Sequence, residues 1–176
     1  DRVIINTDAR RILADNGLVE SERVMIRDRK PEIYVPGGSG KASLWRNESP
    51  VGGALVFSPV ESGAELSDVT GAYPLDIDGD GVLDLVLLRL GETQLMRGLG
   101  ECRFAAANAD WGFSAPDDWT TAFAAAWEPG ADWPTLAFGA YIDRTQESFP
   151  WGSCTENLLY RGHSGKFDAG LPLKPS

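Results

Sequence analysis

The sequence predicts an all-β fold made of about three repeated sheet units. A pattern of apolar strand, glycine-containing turn, second strand and closing phenylalanine recurs with a period of about 40–50 residues, which is typical of repeat architectures. The 20 glycines and 11 prolines indicate many turns. Hydrophobic residues form 43% of the 176-residue chain and aromatic residues 10%, so the chain can bury a sizeable core.

The three copies share the same order of segments, and in each the second strand ends in an arginine followed by asparagine or glycine. The first copy contains residues 31–35, 44–47 and 56–57; the second contains residues 83–88, 95–98 and 103–104; the third contains residues 135–138, 158–162 and 166–167. Each copy is therefore interpreted as a hairpin with a third strand. The apolar alternation is imperfect, as expected where both faces of a sheet pack against neighbours.

A fourth strand per unit is expected at residues 54–57 or 121–126, and the second of these segments is also compatible with a short helix. Near the start of the chain, residues 2–5 are predicted to form a strand and residues 8–13 about one helical turn before Asn16-Gly17. Residues 1–27 are interpreted as an N-terminal segment that ends a preceding unit.

The second copy opens with an acidic loop, residues 76–84, with the sequence DIDGDGVLD. Aspartates at alternate positions return their side chains to the centre of a coiled loop, and calcium prefers about six to eight such hard oxygen ligands. Glycine at loop position six permits the sharp turn that this requires. The predicted calcium ligands are Asp76, Asp78, Asp80, Asp84 and the carbonyl of Val82.

Two other metal-site classes fit this loop poorly. An EF-hand needs an acidic residue at loop position twelve, where this chain has Leu87, and it needs flanking helices. Zinc prefers cysteine and histidine ligands, and the only histidine, His163, is remote in sequence. An empty turn would leave four aspartates repelling one another without compensation.

With these residues in hand, the chain resembles the FG-GAP/VCBS repeat family, through residues 76–85 and then 95–104. The resemblance implies a β-propeller whose blades are residues 28–70 (degenerate), 71–114 (calcium-binding) and 115–176 (degenerate, with an insertion). The resemblance includes the repeats of integrin α-subunit heads and of the cartilage acidic protein group, and residues 154–162 look like the second of these subsets. Because propellers close with about four to eight blades, three units suggest part of a larger propeller or assembly.

Only the second copy keeps the full ligand set. Asp28 and Glu32 stand in the first copy where Asp80 and Asp84 stand in the second, and the third copy has Trp127, Ala131 and Thr135 at the ligand positions. These two copies are expected to bind no ion.

Charge and hydropathy exclude several partners. Acidic residues outnumber basic ones 26 to 16, giving a formal net charge of −10, and no basic stripe is present, so nucleic acid is a poor partner. The sequence contains no run of about 18 apolar residues, so it does not predict insertion into a membrane. We expect a protein or glycan partner, self-assembly, or completion of the propeller by other segments.

The sequence does not predict an enzyme. A catalytic site needs a nucleophile, a base and a group that orients the base, and a single histidine, His163, in a glycine-rich turn does not supply this set. Asp117, Asp118 and Asp132 could supply paired carboxylates for glycoside hydrolysis, but adjacent residues point apart in a strand and no spacing supports a pair with Asp132. Residues 37–41 lack the spacing of a phosphate-binding loop and are interpreted as a tight hairpin turn. The tryptophans at 111, 119, 127, 133 and 151 are interpreted as core packing, with a binding surface as the alternative.

Cys102 and Cys154 are the only cysteines, and their spacing fits neither a zinc knuckle nor a redox pair. A disulfide between them would stabilise the fold by about 4 kcal/mol in the chain-entropy model. The open alternative is that Cys102 and Cys154 are two separate thiols or that each pairs with a cysteine outside this sequence.

The sequence thus predicts an extracellular or secreted, periplasmic or cell-surface protein whose calcium ion is structural and whose role is adhesion, assembly or protein interaction. The alternative is a propeller scaffold that carries a carbohydrate-binding or hydrolase-like site.

Overall fold

The computed structural model describes residues 2–3, 30–143 and 155–173. Every regular element in these ranges is a β-strand, and the strands form three separate sheets. The predicted all-β class with propeller-type blades is confirmed. The described residues form no helix, and so they include no helix that could cross a membrane.

The first sheet has the strand order β1-β2-β4-β5. Its strands are β1 (Arg2–Val3), β2 (Pro31–Val35), β4 (Ser43–Asn47) and β5 (Phe57–Val60). β1 runs parallel to β2, and the other pairs are antiparallel. The predicted N-terminal strand is therefore present at residues 2–3, whereas residues 4–5 and the predicted helical turn at 8–13 lie outside the described residues.

The second sheet has the order β3-β6-β7-β8-β9 and is antiparallel throughout. Its strands are β3 (Gly38–Lys41), β6 (Ser67–Leu75), β7 (Asp84–Arg89), β8 (Gln94–Gly100) and β9 (Arg103–Ala106). The segment interpreted as only a tight turn thus supplies an edge strand, since Gly38 and Lys41 pair with β6.

The third sheet has the order β10-β11-β12-β13, and β14 also pairs with β12. Its strands are β10 (Asp118–Ala126), β11 (Thr135–Asp143), β12 (Leu158–His163), β13 (Lys166–Phe167) and β14 (Leu171–Pro172). Residues 121–126 are strand and not helix, because Phe123 pairs with Phe138 across the hairpin and packs on the core.

The other expected fourth strand begins later than predicted. Residues 54–56 are irregular and β5 starts at Phe57. The backbone N–H of Val56 donates to the Ser49 hydroxyl at 2.9 Å, so a side chain takes the place of a ladder partner.

Alternate residues of β7 enter two different cores, which explains why its sequence is continuously apolar. Leu85 and Leu87 belong to the core that includes Tyr34 and Leu44 of the first sheet. Val86 and Leu88 belong to the core that includes aromatic residues of the third sheet. The second sheet is therefore packed on both faces, as the imperfect alternation indicated.

Candidate metal centre

The acidic loop joins β6 to β7, two neighbouring inner strands of the second sheet that pair from Leu75 and Asp84 onwards. Gly79 and Gly81 have φ angles of 73° and 85°, in the left-handed region that glycine adopts without steric cost. These two glycines let a short segment turn back on itself, so that the aspartates at both ends of the loop face one another.

Three carboxylates of the loop converge. One oxygen each from Asp76, Asp78 and Asp84 lies within 4.8 Å of the other two. Two oxygens that both contact one calcium ion at about 2.4 Å are at most about 4.8 Å apart, so this spacing suits a shared hard cation. The arrangement can therefore hold a metal ion.

Asp84 is the innermost member of this group and is fully buried. Its two oxygens accept hydrogen bonds of 2.8 Å from the backbone N–H groups of Ile77 and Gly98. Burial raises the pKa of Asp84 to about 7, and these two hydrogen bonds oppose the rise only in part. A cation at the loop would favour the charged form that burial disfavours.

Asp76 carries the clearest sign of a missing partner. Its Oδ2 accepts a hydrogen bond of 3.1 Å from Gly81 N–H, whereas its Oδ1 is buried and has no hydrogen-bond partner. Burial raises the pKa of Asp76, and the nearby charges of Asp80 and Asp78 raise it further. A buried carboxylate oxygen without a donor is costly, and a metal ion would satisfy it.

Asp80 lies outside the converging group. Its side chain is exposed, and its Oδ1 accepts a hydrogen bond of 2.7 Å from the backbone N–H of Val82. Asp78 accepts a weaker bond of 3.3 Å from the Asp80 N–H. The roles of Asp80 and of the Val82 carbonyl as ligands stay predictions.

Arg97 also belongs to the site, although no motif in the sequence assigned it there. Its Nε lies 3.2 Å from Asp78 Oδ2, and its guanidinium carbon lies 5.1 Å from the ring centroid of Trp111. The signal was present, because an arginine ends the second strand of every copy. Nothing in the spacing showed that this arginine would reach the acidic loop.

The glycine after Arg97 brings β8 close to the loop. A Cβ atom at Gly98 would lie 2.2 Å from the carbonyl oxygen of Leu83. Only glycine therefore allows the Gly98 N–H to approach Asp84. Gly162 meets the same constraint in the third sheet, where a Cβ would lie 2.7 Å from the carbonyl oxygen of Pro134.

The other candidate residues do not converge into a comparable site. Trp111 and Trp133 are buried and meet edge to face at 5.5 Å, Trp119 is half-buried, and Trp127 is 48% exposed. Core packing is thus confirmed for Trp111 and Trp133, while Trp151 lies outside the described residues.

The remaining polar candidates have local structural partners. Asp118 is buried and accepts a hydrogen bond of 3.0 Å from the Thr155 hydroxyl. His163 forms an exposed contact of 2.8 Å with Asp168. Cys102 is buried, and Cys154 lies outside the described residues, so their disulfide stays a prediction.

Part of the chain is similar to a known protein family. The family model for the FG-GAP-like repeat matches residues 26–87, a range that includes the hairpin of β2 and β4 and the whole acidic loop. No curated protein and no solved structure matches the chain. The geometry of the loop and this match agree with the resemblance read from the sequence, and the chain therefore contains an FG-GAP-like repeat.

Proposed function

We propose that residues 76–84 bind a calcium ion whose role is structural. The observation that carries this proposal is the convergence of the Asp76, Asp78 and Asp84 carboxylates, and it is supported by a buried oxygen of Asp76, Oδ1, that has no hydrogen-bond partner. An all-oxygen donor set suits calcium better than zinc or copper, which favour nitrogen and sulfur ligands. Asp76, Asp78 and Asp84 would hold the ion, with Asp80 and the Val82 carbonyl completing the predicted set.

The ion would act on the strand that the loop introduces. It would neutralise clustered negative charge and fix the first residue of β7, whose side chains enter both cores. With a dissociation constant of about 10⁻⁴ M and about 1 mM free calcium, binding stabilises the folded chain by about 1.4 kcal/mol. This contribution is structural, and we propose no enzymatic activity.

We propose that the protein works outside the cytoplasm, either secreted, periplasmic or on the cell surface, where millimolar calcium would fill a site with the affinity typical of extracellular calcium modules. There it would serve as a propeller-type scaffold for adhesion, assembly or protein interaction. Exposed apolar side chains of the first sheet, including Ile33 at 42% and Val35 at 44%, support contacts with a protein surface.

Thermal unfolding tests the calcium site directly. Calcium at about 1 mM is expected to raise the melting temperature of the native chain by about 3–5 °C relative to chelator. Asp76→Asn is expected to weaken calcium binding by about tenfold or more, which removes most of this shift. Without calcium, Asp76→Asn should unfold at the same or a higher temperature, because it removes a buried charge.

The matched control is Asp132→Asn, an exposed aspartate in the corresponding turn of the third sheet, which should keep the full calcium shift. A native chain with the same melting temperature in calcium and in chelator would contradict the proposal. An unchanged shift in Asp76→Asn would show that calcium acts at another place.

Calcium stabilisation should also depend on pH. The folded pKa of Asp84, about 7, lies above its ordinary value of 3.8, so the folded chain binds this proton more tightly than the unfolded chain. In chelator, this contribution to stability is fully present below about pH 4 and is lost as the pH rises through about 7. Calcium must displace the proton, so its binding weakens in acid.

We expect the calcium affinity to be about 20-fold weaker at about pH 5.5 than at about pH 7.5. Isothermal titration calorimetry at the two pH values measures this ratio, and titrations in buffers of different ionisation enthalpy count the protons released. An affinity that is equal at both pH values would contradict the assignment of the buried Asp84 carboxylate as a ligand.

A further inference from the structure

Arg97 brings strand β8 into contact with the acidic loop. Its Nε lies 3.2 Å from Asp78 Oδ2, and the Asp78 side chain is only 15% exposed. Arg97 lies on β8, whose residue Met96 pairs with Leu85, the neighbour of Asp84. A positive charge of the chain therefore already occupies one side of the carboxylate group that faces the proposed ion.

The guanidinium group of Arg97 is held in place by an aromatic ring. Its central carbon lies 5.1 Å from the ring centroid of Trp111, a contact distance typical of cation–π interactions. Trp111 is 1% exposed and packs edge to face on Trp133. Because the ring is anchored in the core, it keeps the cation beside Asp78.

The third sheet repeats this arrangement without the metal ligands. Arg161 holds the position of Arg97 in the third copy and pairs with Thr135, which holds the position of Asp84. Its Nε lies 3.0 Å from Glu128 Oε1, in the turn between β10 and β11. The same oxygen accepts a hydrogen bond of 2.9 Å from the Thr135 hydroxyl. Where the aspartates are lost, an arginine alone thus neutralises the turn.

We propose that Arg97 sets the calcium affinity of the loop by competing with the ion for Asp78. This inference rests on the proposed calcium site. A bound divalent ion and the guanidinium group would repel each other across a shared, largely buried carboxylate. Arg97 thereby weakens calcium binding and at the same time neutralises part of the loop.

Arg97→Met tests this proposal, since methionine keeps an unbranched apolar stem beside Trp111 and removes the charge. We expect the calcium dissociation constant, measured by calorimetry, to fall by about tenfold or more. Arg97→Gln, which removes the charge but keeps a polar side chain, should tighten binding in the same direction and serves if the methionine variant does not fold. A residue that only supported the loop would weaken binding when replaced.

The matched control is Arg161→Met, the equivalent substitution in the third sheet, which should leave the dissociation constant within about twofold of the native value. An unchanged or weaker affinity in both Arg97 variants, with the native chain binding calcium, would overturn the role of Arg97 and leave the calcium site standing. A native chain that binds no calcium would overturn both.

Discussion

Asp84→Ala is expected to destabilise the folded chain by about 2–5 kcal/mol in the absence of calcium. The carboxylate is fully buried and accepts hydrogen bonds from the N–H groups of Ile77 and Gly98, each at 2.8 Å. Alanine leaves both donors buried without a partner, and each unsatisfied group costs about 1–3 kcal/mol. Loss of the negative charge offsets part of this cost, because burial disfavours the ionised form.

Denaturant unfolding in chelator measures this change without any contribution from calcium affinity. Asp80→Ala is the control from the same loop, since its exposed carboxylate accepts one hydrogen bond, from Val82. Its expected cost is below about 1 kcal/mol. Equal losses for the two variants would show that Asp84 does not organise the junction of β6, β7 and β8.

Much of the fold could be predicted because each copy contains local signals. The strands of the second copy are apolar runs separated by glycine, and the acidic loop precedes the buried strand β7. Gly79 and Gly81 adopt the left-handed conformations that the loop requires. Local turn residues and apolar periodicity were therefore sufficient to predict the strand hairpins and the position of the carboxylates.

The parts that were not predicted depend on pairing between distant segments. β3 consists of residues with little strand preference and exists because β6 pairs with it. β6 itself contains Asp68, Gly71 and Pro74, so its sequence does not look like a strand, although it pairs along the length of β7. Strand formation there follows from the partner and not from local propensity.

The same limit applies to the candidate site. Alternate spacing of the aspartates predicted convergence, yet it could not show that Asp80 turns towards the Val82 N–H. It also could not place Arg97 beside Asp78, since that contact depends on the register of β7 with β8. Side-chain direction within an irregular loop is decided by which backbone donors are within reach.

Trp111→Ala is the second substitution with a large expected effect, about 3–5 kcal/mol of lost stability. Trp111 is 1% exposed and belongs to the core formed with Trp133, Phe113 and Phe167. It precedes β10 in the chain and fills the space between the second and third sheets. Alanine would leave a cavity there and remove the aromatic surface on which Arg97 lies.

Trp127→Ala is the matched control, because this tryptophan is 48% exposed, and its expected cost is below about 1 kcal/mol. Denaturant unfolding of both variants compares a core role with a surface role for the same residue type. A cost at Trp127 equal to that at Trp111 would contradict the division between the two. A small cost at Trp127 beside a large cost at Trp111 would assign the exposed ring to the surface and the buried ring to the core.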